Sequence, residues 1–299
     1  GHRYYNGNFY WINERTYFWT SDEQNSQNKW IRYFFEDYDM IRRTPNEKTN
    51  GFPLRCIKDS PQIITDIQVF LEGPYFDNNQ SMTPFLNAFN YIPVSQPYSG
   101  DPWYYAGTEQ VMALPNGDII DWVLIELRET PGGPETATSG TTIARRAAFL
   151  MKNGVITDLD GASPVTFNNT GISQNLYVVI KHRNHLGVIS NYPLTENGGI
   201  YSYIFHDGVE KAYMGSLAHK EINGVWVMIG SDGNADGLIH NGDKLDVWVP
   251  QAGSSGYLGG DFDMNGQVDN ADKIDIWQPN AGAGSQVPDF EGYQSQVPE

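Results

Sequence analysis

The organisation of this chain is decided by a stretch that it contains twice. Gly230–Trp248 reads GSDGNADGLIHNGDKLDVW, and Gly259–Trp277 reads GGDFDMNGQVDNADKIDIW, with a period of 29 residues. Each copy spaces Asp and Asn residues two apart and has Gly at the sixth position of a twelve-residue loop. Calcium prefers six to eight oxygen ligands, which such a loop supplies around the sharp turn at its glycine. The repeat therefore predicts two calcium ions, one in each loop.

We expect the ligands at positions 1, 3, 5, 7 and 12 of each loop, with position 7 binding through its backbone carbonyl. In the first loop these positions are Asp232, Asn234, Asp236, Leu238 and Asp243. In the second loop they are Asp261, Asp263, Asn265, Gln267 and Asp272. The alternative is a pair of solvated turns, but two matches in register favour calcium. A structural clip is preferred to a signalling switch, because calcium outside cells is near millimolar and keeps weak sites filled.

The residues that flank these ligands also repeat. Ile239 and Val268 stand at position 8, where we expect the two loops to pair and share a core. With Asp rather than Glu closing both loops, the segment of about 50 residues resembles the dockerin family. The resemblance implies that one helix follows each loop. Pro250 and Pro279 are expected to end these helices early.

Composition excludes some partners and structures. The formal net charge of −17 makes nucleic acid and an acidic membrane surface poor partners, whereas it suits cations. Cys56 is the one cysteine, so no intrachain disulfide can form, and it is expected to be a small buried hydrophobe. No run of about 18 apolar residues is present, so we predict no membrane-spanning helix.

The chain is predicted to be mainly β and to divide into four segments. Apolar runs bounded by turn residues predict strands in 63–73, 121–130, 175–184, 199–208 and 224–230. This spacing favours an antiparallel, sandwich-like domain. Asn153-Gly154 predicts a hairpin, while 142–151 fits either a short helix or an edge strand, and 134–142 a surface loop. The predicted segments are 1–59, 60–229, the repeat at 230–282 and an extended tail at 283–299.

Two further resemblances concern the remainder of the chain. YFWTS (17–21), KWIRYFF (29–35) and NGFPLRCIKD (50–59) resemble the last part of the FISUMP domain, the Fibrobacter succinogenes major paralogous domain. That family is related to C-type-lectin-like folds and occurs in secreted and surface proteins. Residues 63–288 are similar to a region common in large secreted proteins of Bacteroidota, through VFLEGPY, DWVLIELRET and YVVIKHRNHLGVIS. Both resemblances imply an extracellular, surface-associated protein.

Candidate catalytic and sugar-binding groups are few. His182 and His185 could hold zinc only if a bend brings them together, because a strand directs them to opposite faces; a packed histidine pair is favoured. His219 with Glu221 is a weaker pair. A glycosidase would need two facing carboxylates, for which Asp121, Glu126 and Glu129 are the candidates near one strand. Tryptophans that could stack on sugars, although core packing is favoured for them, are Trp11, Trp19, Trp30 and Trp103.

The tail contains Ser-Gln-Val-Pro twice, at 285–288 and 295–298. Its apolar residues, Val287, Phe290, Tyr293 and Val297, could add to a sheet edge of another copy of the chain or wrap their own domain. We therefore expect a non-enzymatic, calcium-stabilised structural or adhesive surface protein whose partners are copies of itself. The alternative is a carbohydrate-binding or dockerin-like attachment module, with glycans as partners, and the third possibility is an enzyme fragment.

Overall fold

The protein forms two compact units, residues 1–59 and 60–299. It is mainly β, as the sequence predicts. Within the part of the chain that is described, no helix combines the length and the apolar character needed to cross a membrane. The computed structural model describes five stretches of the chain: 2–10, 15–35, 38–52, 61–76 and 80–288.

In the first unit, the residues that the structure describes form five strands. They are β1 (His2–Arg3), β2 (Phe9–Tyr10), β3 (Arg15–Glu23), β4 (Asn28–Phe35) and β5 (Tyr38–Glu47). Strands β3, β4 and β5 form an antiparallel sheet in that order, and β1 pairs with β2. Tyr17 on β3 and Ile31 on β4 lie on the same face of this sheet, because successive residues of a strand point to opposite faces. A small core of Tyr17, Ile31 and Phe52 lies on that face.

The described residues of the second unit form thirteen strands. They are β6 (Gln62–Gln68), β7 (Tyr75–Phe76), β8 (Ser81–Met82), β9 (Ile119–Thr130), β10 (Thr142–Met151), β11 (Ile156–Thr157), β12 (Val165–Asn168), β13 (Asn175–Lys181), β14 (Val188–Ile189), β15 (Thr195–Asn197), β16 (Ile200–Ile204), β17 (His219–Ile222) and β18 (Val225–Met228). The five predicted strand runs therefore correspond to β6, β9, β13, β16 and β18.

Two sheets dominate this unit. The larger has the order β11-β10-β9-β13-β14 and is antiparallel throughout. The other has the order β12-β6-β16-β15, and in it β6 and β16 run parallel. The prediction of an antiparallel domain is therefore wrong for β6 and β16. More than 130 residues of sequence lie between these two strands. Strands β7 and β8, and β17 and β18, form two-stranded sheets.

One core cluster draws its side chains from both sheets. Val123 and Phe149 come from the five-stranded sheet, and Ile67 and Phe167 come from the four-stranded one. The ring of Trp122 lies 4.2 Å from that of Phe149. Burial of each such side chain stabilises the fold by about 2 kcal/mol, so this shared core holds the two sheets together.

The ambiguous run at 142–151 is a strand. It forms β10, which pairs with β9 along its length and with β11 only at Phe149 and Leu150, so it is a strand and not the helix. Its first half has β9 as its ladder partner, which fits the edge-strand alternative that the sequence left open. Beyond it, the predicted hairpin is present, with Gly154 at φ +84° in the turn between β10 and β11. The predicted surface loop at 134–142 contains two 3₁₀ turns, Pro134–Thr136 and Ser139–Thr141.

Three helices are relevant to the loops. They are α1 (Phe85–Ala88), α2 (Asp243–Trp248, continuing as Val249–Gln251) and α3 (Asp272–Trp277, continuing as Gln278–Asn280). The first part of α2 and of α3 has π-helical geometry. The prolines do not end these helices, because each lies inside the final turn. The helices end where Gly253 and Gly282 adopt φ of +84° and +96°.

Candidate metal centre

Two loops with the same geometry carry the predicted ligands. We call them loop 1 (232–243) and loop 2 (261–272). In both, the glycine at position 6 has a left-handed backbone, with φ +85° at Gly237 and +89° at Gly266. A Cβ at Gly266 would also lie 3.1 Å from the ring of Tyr91, so glycine is required there on two counts.

The same five hydrogen bonds close both loops. In loop 2, Asp261 accepts from the backbone N–H at position 6, and Asp272 accepts from those at positions 3 and 9. Asp263 accepts from the N–H at position 5, and Asn265 from that at position 7. Loop 1 repeats the pattern, with Asp232, Asp243, Asn234 and Asp236 as the acceptors. The carboxylates and amides are thereby turned toward the middle of each loop.

Four of these carboxylates are buried. The exposed fractions are 3% for Asp232 and 0% for Asp243, Asp261 and Asp272. In loop 2, one carboxylate oxygen from each of Asp261, Asp263 and Asp272 lies within 4.8 Å of the others. Among the described residues, the three carboxylates of loop 1, on Asp232, Asp236 and Asp243, do not form such a group. Loop 2 is therefore the more tightly gathered of the two.

The pKa values of the buried carboxylates are raised, because the nearby positive charge does not offset their burial and mutual repulsion. Burial raises the pKa of Asp261 to about 8, and the neighbouring Asp272 and Asp263 act in the same direction, although Arg183 opposes them. Burial likewise raises the pKa of Asp272 to about 7, with a smaller contribution from Asp263. In loop 1, burial raises the pKa of Asp232 well above its usual range, and Asp243 and Asp236 add to the effect. Burial and mutual repulsion therefore disfavour the charged form of these carboxylates, which a cation bound in the loop would stabilise.

One ligand oxygen has no hydrogen-bond partner in the protein. Asp261 accepts from the N–H of Gly266 through Oδ2 at 2.9 Å, whereas its Oδ1 is buried with no partner. An unpartnered buried carboxylate oxygen is costly unless a cation or water binds it. This atom, together with the three gathered carboxylates, makes loop 2 a place where a metal ion could bind.

The two repeats are clamped across one another. The indole N–H of Trp248, on α2, donates to the carbonyl of Asp269 in loop 2 at 2.9 Å. The indole N–H of Trp277, on α3, donates to the carbonyl of His240 in loop 1 at 3.1 Å. Both carbonyls stand at position 9. Lysine ammonium groups also lie over the two rings, that of Lys273 over Trp248 and that of Lys244 over Trp277, at 4.7 and 4.3 Å.

The position-8 residues pair differently from the prediction. The N–H of Ile239 donates to the carbonyl of Ala283, and the N–H of Val268 donates to that of Ser254. Each loop therefore pairs with the segment that follows the helix of the other repeat, and not with the other loop. The side chain of Ile239 packs with Leu186 and Ile229 from the sheet region.

Buried side chains fix the loops to the sheets. Asn184, after β13, donates to the carbonyl of Asp261 at 2.7 Å. The next residue back, Arg183, donates to the carbonyl of Leu258 and to the buried carboxylate of Asp121. Glu72 accepts from the N–H of Gly230 at 2.9 Å. Sequence reasoning missed this network, although an Asp, a Glu and an Arg within the apolar run of β9 were a signal of buried ion pairs.

The histidine pair is packed and neutral. The N–H of Gly73 donates to Nε2 of His185, so the proton of that ring is on Nδ1, which faces Nδ1 of His182 at 3.1 Å. His182 then carries its proton on Nε2 and donates to Asp121 at 3.2 Å. Burial lowers the pKa of both rings. This geometry favours the packed pair over a zinc site.

The candidate glycosidase carboxylates are engaged separately. Asp121 accepts from Arg183, His182 and Tyr257, and Glu126 lies between Arg128, Arg145 and Lys181. The two are on opposite faces of β9, because residues of odd and even number alternate along a strand. Glu129 accepts from the backbone and hydroxyl of Ser173. The structure does not bring these carboxylates together as a facing pair.

The remaining candidates also have contacts. His219 stacks on Trp226 at 4.5 Å and contacts the carbonyl of Val209, while Glu221 accepts from Gly224. The half-buried tryptophans pack against other side chains: Trp19 on Phe52, Trp30 beneath Arg43 and Trp103 on Tyr98.

Some predictions concern residues outside the described stretches. Trp11, Cys56, Phe290, Tyr293 and Val297 belong to this group. Of the predicted tail, Val287 lies inside the described part, where it packs on its own sheet with an exposed fraction of 3%. Comparison of the chain with models of protein families, with curated proteins and with solved structures finds no match.

Proposed function

We propose that loops 1 and 2 each bind one calcium ion and that these ions fix the repeat, residues 230–282, to the two large sheets of the second unit. The observation that carries this proposal is the repeated set of buried carboxylates, with the unpartnered Oδ1 of Asp261 among them. Oxygen donors from carboxylates, amides and a carbonyl suit a hard cation that accepts irregular geometry, which favours calcium over zinc and over the more demanding magnesium.

Direct binding tests the stoichiometry. Native mass spectrometry and calorimetric titration of the calcium-depleted chain should give two calcium ions per chain. Asp236→Ala and Asp263→Ala remove one ligand from loop 1 and loop 2 and should each leave one ion bound. Asp118→Ala is the matched control, because Asp118 is an exposed aspartate that pairs with Lys152 away from both loops. No bound calcium at millimolar concentration would refute the proposal.

We further propose that the protein is a non-enzymatic, extracellular structural or adhesive surface protein that contacts copies of itself. Calcium clips support an extracellular location, because sites of this kind stay filled at the calcium concentrations found there. The candidate catalytic groups support a structural role, since they are used in buried ion pairs and hydrogen bonds. Sedimentation of the purified protein over a wide concentration range tests self-association; a monomer at all concentrations would remove that part of the proposal.

The finer fold assignments belong to the same proposal. The first unit would be the last part of a FISUMP-like domain, the two large sheets a sandwich-like domain, and the repeat a dockerin-like module. The alternative function is carbohydrate-binding or dockerin-like attachment. Leu245 on α2 and Ile274 on α3 favour attachment, because they occupy equivalent positions and are 55% and 52% exposed. A glycan array separates the two forms of the alternative, since attachment to a protein predicts no glycan binding.

A further inference from the structure

The first Ser-Gln-Val-Pro copy, residues 285–288, lies in a groove between the five-stranded sheet and loop 1. Ser285 is fully buried; its hydroxyl donates to the carbonyl of Gly187 at 2.8 Å, and its N–H donates to that of Gly237 in loop 1 at 2.8 Å. Arg128 donates to the carbonyl of Pro288 at 3.1 Å. The groove therefore contacts both ends of the tetrapeptide.

The middle of the copy is held by an apolar pocket. Val287 packs among Ala137, Tyr177, Val179 and Ile189, which lie on the outer face of the five-stranded sheet and in the loop beside it. Its backbone N–H donates to the hydroxyl of Ser285, which holds the peptide in one conformation. The groove thus selects a hydroxyl, a branched apolar side chain and the proline carbonyl at fixed spacing.

The chain carries a second ligand with the same chemistry. Residues 295–298 repeat Ser-Gln-Val-Pro, and an acidic residue follows both copies, Asp289 and Glu299. Every group that the groove contacts in the first copy is present in the second. We propose that the groove is a docking site for this tetrapeptide and that 295–298 of the same chain is its alternate occupant.

Tether length determines which occupant dominates. Docking the second copy shifts the chain by ten residues and leaves residues 285–294 as a closed loop. The entropy cost of closing this loop reduces the occupancy of the groove by the second copy about thirtyfold relative to the first. A tethered segment nonetheless has an effective concentration in the millimolar range. It therefore outcompetes the same tetrapeptide from another molecule at micromolar protein concentration by about a thousandfold, which favours the same chain as the source.

Engineered disulfides test the proposal directly in the full chain. A Cβ at Gly187 would lie 3.6 Å from the hydroxyl oxygen of Ser285, so Gly187→Cys with Ser285→Cys should form an intrachain disulfide and report the first register. Cys56→Ser removes the native thiol from all variants. Val287→Asp places a carboxylate in the apolar pocket and frees the groove for the second copy.

In the Val287→Asp background, Gly187→Cys with Ser295→Cys should form an intrachain disulfide at least tenfold faster than the same variant carrying Val297→Asp. That control keeps the tether and breaks only the second motif. Equal rates would overturn the proposal, and concentration-dependent interchain disulfides would show that another molecule is the occupant. Saturating calcium, checked by metal analysis, and matched melting curves keep this outcome separate from failure of calcium binding or folding.

Discussion

Removing calcium should lower the melting temperature of the second unit by about 10–20 °C. If calcium is present at 100 times the dissociation constant, each ion stabilises the folded state by about 2.7 kcal/mol, so two ions contribute about 5 kcal/mol. For a unit of this size, 1 kcal/mol shifts the melting temperature by about 2–4 °C. The geometry of loop 2 supports such a contribution. Two charged carboxylates whose oxygens lie within 4.8 Å of each other repel by about 3 kcal/mol or more at an effective dielectric constant of 20.

The assay is a thermal melt followed by circular dichroism or calorimetry, with and without EGTA, at constant ionic strength. Asp236→Ala and Asp263→Ala should each remove about half of the EGTA effect, and the double variant should remove nearly all of it. Readdition of calcium should restore the parent curve. An unchanged melt after metal analysis has verified calcium-free protein would refute the reasoning, as would an undiminished EGTA effect in the double variant.

Three further predictions concern the groups around the loops. The pKa of Glu126 is lowered to about 2, because Lys181 and Arg128 overcome the opposing effect of burial. The contribution of Glu126 to the free energy of unfolding is therefore present above pH 4.5 and is lost as pH falls toward 2. Urea unfolding should therefore find Glu126→Gln less stable than the parent by about 3 kcal/mol at pH 7, with the difference shrinking below pH 4.5, and a pH-independent difference would contradict this. Asn184→Asp removes the donor to the carbonyl of Asp261 and should cost about 1–3 kcal/mol in the same assay, with calorimetry finding weaker calcium binding in loop 2 alone. Trp248→Phe should weaken calcium binding in loop 2 about fivefold and Trp277→Phe that in loop 1, whereas an effect on the loop of the same repeat would rule out the crossed clamp.

The internal geometry of the loops could be predicted from sequence because it is local. Their ligands lie within twelve residues, and the glycine at position 6 must take a left-handed backbone. The five hydrogen bonds that recur in both loops are made between residues at most nine positions apart. A repeated spacing is therefore sufficient to predict both loops, although it does not identify the ion that fills them.

The setting of the loops could not be predicted, because it depends on distant residues. Asn184 and Arg183 contact loop 2 and its entry across more than 70 residues, and no local pattern gives this pairing. The crossed pairing of Ile239 with Ala283 was missed for a related reason. Ala283 follows the helix of the other repeat, and the side chain of Ile239 packs on Leu186 and Ile229 outside the repeat, so neither contact is local in sequence.

Strands were predicted correctly from runs of apolar residues. The run that forms β10 combines charged and apolar residues, and from sequence it fitted either a helix or an edge strand. In the structure its first half, which contains Arg145 and Arg146, pairs with β9 alone, and Arg145 forms an ion pair with the buried Glu126 and Arg146 with Asp158. The parallel pairing of β6 with β16 was missed because strand direction is set by the long connection between the two strands.

The docked segment at 284–288 also determines how the protein would carry a mechanical load. Gly284 forms an antiparallel bridge with Leu238, and Ser285 and Val287 are fixed to the sheet directly behind it. A pull applied beyond residue 288 would therefore reach the groove before it reaches α3. Tension would be shared between the sheet and loop 1, and filling loop 1 with calcium would stiffen the point at which the force enters.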